Sequence, residues 1–303
     1  MFIKILIILI LILLIFFLCI KKEYVINIEP EKPIELEKPI TMIFVGDIIL
    51  DRTVESLMQE HGFDYPFKNI DLKADFVFAN LEGPINMNPI NFSRDSLKFS
   101  FSFKNIDSLK KAGFNLLGLA NNHTLNTGQS GLEETRELLK KSDIEYFGDP
   151  VDCSDKYILK KNNFVFIGFN KTQSCSEEQI IDLIEKYENE FVIISIHWGT
   201  EYQINRSEKQ KDLAYKMIDN GADLIIGHHP HVIQEVEKYK NKMIFYSLGN
   251  FVFDQYFSEQ TQKGLLIKLS SYSDKDIYEI FLIKSEKSQV FLKEKLETIE
   301  INK

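Results

Sequence analysis

Three histidines fall within four residues in the stretch IIGHHPHVIQ, Ile225 to Gln234, of a chain that has only six in all. His229 and His231 share an H-x-H spacing after an apolar run, and His228 directly precedes them. Neutral imidazole is the commonest metal ligand. Three clustered rings offer no packing advantage over cheaper apolar residues, so the group reads as a source of metal ligands. Five further apolar runs end in polar groups: IFV in Gly46–Asp47, FVFA in Asn80–Leu81–Glu82, LLGLA in Asn121–Asn122–His123, VIISI in His197–Trp198–Gly199 and IFYSLG in Asn250. Each has a bland alternative. Asp47 would serve as a helix N-cap, Asn121–Asn122 as turn residues, and His197 as a hydrogen-bonded core residue. Taken together they are Asp, Glu, Asn and His delivered to one edge, where open α/β sheets bind ligands.

The donors are nitrogen and oxygen without thiolate, which suits one or two divalent ions of Mn, Fe, Zn or Mg rather than a cysteine-type structural zinc site. A carboxylate can bridge two such ions about 3.5–4 Å apart, and the pair can clamp the attacking and leaving oxygens of a hydrolysis. A histidine outside the ligand set can protonate the leaving group.

Elements of alternating type must hold these groups in place. The stretches RTVESLMQEH, NIDSLKKAG (asparagine cap, terminal glycine), SGLEETRELLKKSD, SEEQIIDLIEKYENE and SEKQKDLAYKMIDNG have helical spacing. MIFVG, DFVFANLEG, FNLLGLANNH, NFVFIGFN, FVIISIHWG, ADLIIGHH and KMIFYSLGNF read as strands between them. GLLIKLS, IYEIFLIKS and QVFLKEKLETIEI follow without intervening helices. The first pattern predicts a mostly parallel sheet with helices outside, and the second predicts antiparallel pairing. Two face-to-face sheets with outer helices satisfy both, in an α/β domain over residues 41–303.

The 303 residues carry a net charge of −9, which argues against nucleic acid as the main partner. Ile5 to Ile20 is an unbroken apolar run flanked by Lys4, Lys21 and Lys22. Residues 1–22 therefore read as an N-terminal transmembrane helix, an uncleaved single-pass anchor. No Ala, Ser or Gly occurs there to mark a cleavage site. Cys19 leaves a lipoprotein as the alternative. Residues 23–40, with Pro30, Pro33 and Pro39 among charges, read as an extended linker. Cys153 and Cys175 pair in an exported domain or stay free thiols otherwise.

In order along the chain, FVGDIILDR, NLEGPI, LANNHTLNTG, IHWGTEY, IIGHHPHVIQ and YSLGNFVFDQ resemble the motif series of the CapA-type capsule-synthesis proteins. That family is associated with poly-γ-glutamate and lies within the calcineurin-like metallophosphatase superfamily. The resemblance implies a four-layer αββα sandwich and an extracytoplasmic domain attached to the cell membrane. It implies metal ligands at Asp47, Glu82 (bridging), Asn122, His197, His229 and His231, with His123 beside the leaving group. It makes His228 a supporting residue, as Asn250 is by its position, and places Arg52, Glu201 and Tyr202 where they would grip an anionic substrate, with Arg52 in a catalytic role. The wider superfamily has histidine where this chain has Ile49, and the capsule family has aspartate where it has Asn126. Two functions follow as expectations. One is a metal-dependent hydrolase of an anionic polymer, such as poly-γ-glutamate, or of a phosphoester. The alternative is a non-catalytic component of a capsule polymer assembly or export complex.

Overall fold

Strands buried on both faces are apolar along their whole length, because each face needs a hydrophobic partner. The central strands of this protein are of that kind. The computed structural model describes residues 2–20, 38–93, 96–173 and 175–303, so most of the expected linker lies outside the described residues. The described residues before 39 and those from 39 onward belong to separate units. In the first, helix α1 (Phe2–Ile20) exposes its side chains from Phe2 to Phe16. Among the described residues no helix is long and apolar enough to cross a membrane, so the expected transmembrane helix is without structural support.

The second unit begins with β1 (Ile40–Ile48), α2 (Arg52–His61), β2 (Phe76–Leu81), the short β3 (Ile85–Asn86) and β4 (Phe101–Ser102), α3 (Asn105–Ala112) and β5 (Leu116–Gly118). It continues with α4 (Gly128–Lys141), β6 (Glu145–Phe147), β7 (Leu159–Lys161), β8 (Phe164–Asn170), α5 (Glu177–Glu185), β9 (Phe191–His197), α6 (Glu208–Asp219) and β10 (Ala222–His228). The last strands are β11 (Val236–Tyr239), β12 (Lys242–Phe245), β13 (Asn250–Val252), β14 (Lys263–Ser271), β15 (Lys275–Glu286) and β16 (Gln289–Asn302).

An eight-stranded sheet runs β16-β15-β14-β1-β2-β5-β6, with β13 also on β1. It is parallel from β1 through β6 and antiparallel from β1 through β16. A six-stranded sheet runs β11-β12-β10-β9-β8-β7, parallel except at its two edges. The period of two along each strand sorts side chains between layers. Phe44, Phe78, Phe166, Phe245 and Ile226 meet in one cluster shared by both sheets. Val45 and Val77 turn the other way, onto Val54 and Met58 of α2, Leu109 of α3 and Leu132 of α4. Val165, Ile194 and Ile225 cover Ile184 of α5 and Met217 of α6. The mixed α/β expectation therefore holds, as does the antiparallel pairing of the three late strands.

Local sequence explains most element ends. Ser176 with Gln179, and Ser207 with Gln210, form reciprocal capping boxes at the starts of α5 and α6. Gly113 ends α3 in the left-handed region. Two expectations need correcting here. Asn105 does not cap α3; it lies inside the helix and its amide donates to the carbonyl of Leu50 at 3.2 Å. KMIFYSLGNF is not one strand. It splits into β12 in the six-stranded sheet and β13 on β1, because the chain crosses between sheets at Ser247–Gly249. The two cysteines pair: Cys153 and Cys175 are joined in a disulfide with a Cα separation of 5.8 Å.

One buried ion pair lies outside the strand-end cluster. Arg136 on α4 and Asp149 are 3% and 4% exposed and meet at 2.5 Å, with the guanidinium over the Tyr157 ring at 3.9 Å. Removing one partner of a buried pair leaves the other charge uncompensated. Asp149→Asn is therefore expected to cost about 3–5 kcal/mol of unfolding free energy in urea titrations. A cost under about 1 kcal/mol would mean that water already solvates the pair.

Candidate metal centre

The ends of β1, β2, β9 and β10 converge on one buried polar cluster. Register places Asp47 beside both Asn80 and Asn250, and His197 beside His228. Asp47 is fully buried. Its Oδ1 accepts from the Asn80 amide at 2.8 Å and lies 3.2 Å from His228 Nδ1. Its Oδ2 lies 3.3 Å from His231 Nδ1 and accepts the backbone N–H of His229 at 3.2 Å. The helix-cap alternative for Asp47 fails, because Asp51 does that work and accepts from the N–H of Arg52 at 2.6 Å.

Glu82 follows β2, also fully buried. One carboxylate oxygen lies 3.5 Å from His197 Nε2 and the other 3.8 Å from His231 Nδ1. His197 Nε2 also lies 2.8 Å from Asn122 Oδ1, and the His197 and His229 rings are 4.7 Å apart. His231 Nδ1 lies 3.0 Å from Asn250 Oδ1. Both His229 and His231 hold a positive φ, 97° and 57°. Such backbone is costly for a side-chain-bearing residue and concentrates at functional sites. Asn121 is a turn residue as the bland reading had it: its Oδ1 accepts the N–H groups of His123 and Thr124, both at 3.0 Å. Its neighbour Asn122 points to the histidines instead.

His123 lines a cleft of about 370 Å³ on the open side, together with Arg52, Glu201, Tyr202, His231 and Asp254. Its Nδ1 lies 3.1 Å from Asn126 Oδ1. That oxygen also accepts the Phe99 N–H at 2.7 Å, which fixes the amide orientation. His123 Nδ1 is therefore the protonated nitrogen of the neutral ring, and Nε2 remains for the cleft. Arg52, at φ 53°, pairs with Asp254 and stacks on Phe99 at 4.8 Å. Its charge is thus partly spent inside the protein.

The residues present fit a divalent cation. Ligand atoms of Glu82, His229 and His231 lie within 4.8 Å of one another. Both Glu82 oxygens and His229 Nδ1 are buried without a hydrogen-bond partner, an arrangement that is costly unless something positive meets them. The local field agrees. Burial, with the Asp47 charge added, pushes the Glu82 carboxyl well above its usual range. Burial would raise Asp47 too, but His228 and His231 outweigh it and hold that carboxyl well below. Burial would lower His231, but Glu82 and Asp47 pull it up to about 9. Burial pushes His197 well down, and His123 down to about 4. The carboxylates thus recruit positive charge, while His197 stays neutral and able to ligate.

The structure brings together Asp47, Glu82, Asn122, His197, His228, His229, His231 and Asn250, with His123, Asn126, Arg52, Glu201 and Tyr202 around the cleft. It corrects one expectation: Asn250 begins β13 rather than ending a strand. Glu201, expected beside Arg52 and Tyr202, does line the cleft with them. Sequence reasoning gave no site role to Asn80, which orients Asp47, or to Asp254, which holds Arg52. Asp254 also follows an apolar strand, so the rule applied to the other runs would have found it.

Residues 41–255 match the family described as bacterial capsule synthesis protein PGA_cap. The chain is 34% identical over 270 residues to the capsule biosynthesis protein CapA of Bacillus anthracis, covering 79% of this chain and 66% of that one. It is 32% identical over 249 residues to the PGA biosynthesis protein CapA of Bacillus subtilis, covering 74% and 66%. The matched part thus spans just under two thirds of each relative. Among solved structures, the protein TT1561 of Thermus thermophilus aligns over 76% of this chain and 94% of its own length, at 10% identity and a TM-score of 0.43. That similarity is too low to support a conclusion about this chain.

Proposed function

Since the chain belongs to the PGA_cap family of bacterial capsule synthesis proteins, within the metallophosphatase-like superfamily, we propose that it is a metal-dependent hydrolase in capsule synthesis. Its substrate is an anionic polymer of the poly-γ-glutamate type or a phosphoester, and its body is the four-layer αββα sandwich of that superfamily. The observation that carries this reading is the unsatisfied Glu82 carboxylate, buried between His197 and His231.

Asp47, Glu82, Asn122, His197, His229 and His231 would hold one or two divalent cations. A bound cation would supply Lewis acidity and a water acidic enough to ionise near neutral pH. Asn80 and the His229 N–H hold the Asp47 carboxylate in place. Asn126 fixes the His123 tautomer so that Nε2 faces the cleft, where a leaving group would need a proton. With neutral His123, Nε2 is an acceptor, so the ring must gain a proton before it can give one.

The body works outside the cytoplasm, tethered to the cell membrane by residues 1–22. The Cys153–Cys175 disulfide supports an oxidising compartment, and the apolar run from Ile5 to Ile20 supports the tether. A reporter fused to the C-terminus that is active only in the cytoplasm would overturn this placement.

To test the activity, purified full-length protein is assayed for bound metal and for hydrolysis of phosphoester and γ-glutamyl substrates with added Mn²⁺. Bound metal with turnover that a chelator abolishes is expected. Protein that neither takes up metal nor turns over either substrate would reject the proposal.

A second reading, a non-catalytic part of a polymer assembly or export complex, is favoured by a specific observation. Asn126 stands on His123 Nδ1 without a charge to stabilise the imidazolium. Partners of this kind commonly change activity about 10–100-fold. Asn126→Asp is therefore expected to raise the hydrolysis rate roughly tenfold, by kcat more than by KM. An unchanged, negligible rate in this variant would favour the assembly role.

A further inference from the structure

The cleft beside the centre has two signs of charge on its walls. Arg52 stands on one side, paired through one terminal nitrogen with Asp254, and its Nε–H has no partner. Glu201 lines the same cleft, hydrogen-bonded to the Tyr202 hydroxyl, and forms no ion pair among the described residues. It shares that cleft with His123 and His231. The turn that carries it is fixed: the Tyr202 N–H donates to the Pro230 carbonyl at 2.8 Å, and the Gln255 amide donates to the Tyr202 hydroxyl at 3.2 Å. Tyr202 and Phe257 meet edge to face with centroids 5.2 Å apart and remain 43% and 68% exposed.

A cleft made only for anions would gain nothing from a carboxylate at its mouth that no ion pair neutralises, since like charge repels the ligand and lowers its local concentration. We infer that Glu201 selects a substrate end carrying an ammonium beside a carboxylate. Glu201 takes the ammonium, Arg52 takes the carboxylate, and Tyr202 and Phe257 flank the adjoining methylenes. This rests on the hydrolase reading and narrows it. The free amino end of a γ-glutamyl chain has both charges on one carbon, two methylenes from the first amide. Internal γ-glutamyl units have only the carboxylate, and a simple phosphoester has no ammonium.

Full-length protein with Mn²⁺ is titrated calorimetrically with γ-glutamylglutamate, with its N-acetylated form, and with inorganic phosphate. Acetylation removes the ammonium and is expected to weaken binding roughly tenfold or more, the size of one well-placed charged hydrogen bond. Glu201→Gln is expected to erase that difference, to bind phosphate at least as tightly as the wild type once the repelling charge is gone, and to leave metal content as it was. Equal affinity for the two dipeptides overturns the inference. So does the absence of dipeptide binding at millimolar concentration, or a difference that survives Glu201→Gln. Loss of metal in that variant overturns it as well, by making Glu201 a ligand. Binding is read without turnover. Discrimination without hydrolysis therefore rejects the hydrolase reading alone, and metal-dependent hydrolysis without discrimination rejects this one alone.

Discussion

Glu82→Gln is expected to leave a folded protein that holds no more than trace metal and hydrolyses at least about 10³-fold more slowly than the wild type. The reason is position. Glu82 has one oxygen towards His197 and the other towards His231, so its amide isostere removes negative charge from both sides of the centre. The fold has little to lose. In the absence of metal the group is buried without hydrogen bonds and burial favours its neutral acid form, so a neutral amide of the same shape costs little. Elemental analysis and thermal melts separate these effects. Wild-type protein at a Mn²⁺ concentration about 100 times its Kd gains roughly 2.7 kcal/mol and melts higher. The variant is expected to melt at an unshifted temperature with or without the ion. Stoichiometric metal in Glu82→Gln would place the ion elsewhere.

Gly46→Ala is expected to be the most damaging single methyl group near the centre. A Cβ at residue 46 would sit 1.8 Å from the carbonyl oxygen of Gly249, a backbone atom that cannot swing away. The same carbonyl accepts the N–H of Asp47 at 3.1 Å. Relief requires β1 and the 247–249 crossing to separate, which moves Asp47 and Asn250 together. Overpacking in well-packed regions commonly costs about 1–3 kcal/mol, and a clash between two backbones belongs at or above the upper end. Soluble yield and urea midpoint should fall sharply, and any folded fraction should bind metal more weakly. A variant with wild-type midpoint and metal content would show that the two segments part easily.

Much of this was legible in the sequence because apolar runs and their polar endings are local signals. Asp47, Glu82, His197 and the 228–231 histidines could be named as ligand candidates without any coordinates. The helical stretches read for α5 and α6 begin at Ser176 and Ser207, which the structure shows to be their caps. What could not be read was set by contacts distant in sequence. Residues 242–251 are mostly apolar, and nothing in that run says that the chain leaves one sheet for the other at Gly249. Asp254 as the partner of Arg52 depends on 202 residues of separation closing to a single ion pair. Glu201 could be placed near the site by motif, but that it shares a cleft wall with His123, His231 and an Arg52 already paired to Asp254 depends on the fold.

The cluster is assembled from both sheets: Asp47, Glu82 and Asn122 come from the eight-stranded one, His197 and the 228–231 group from the six-stranded one. A cation held there would act as a rivet across the seam between them, whose remaining adhesion is largely phenylalanine against phenylalanine and aliphatic side chains. Loading the metal should then slow amide hydrogen exchange well beyond the ligands, along the inner strands β1, β2, β9 and β10 as one block. The protein would be mechanically stiffer when charged with its ion, and a chelator would soften the joint between two sheets rather than a single loop.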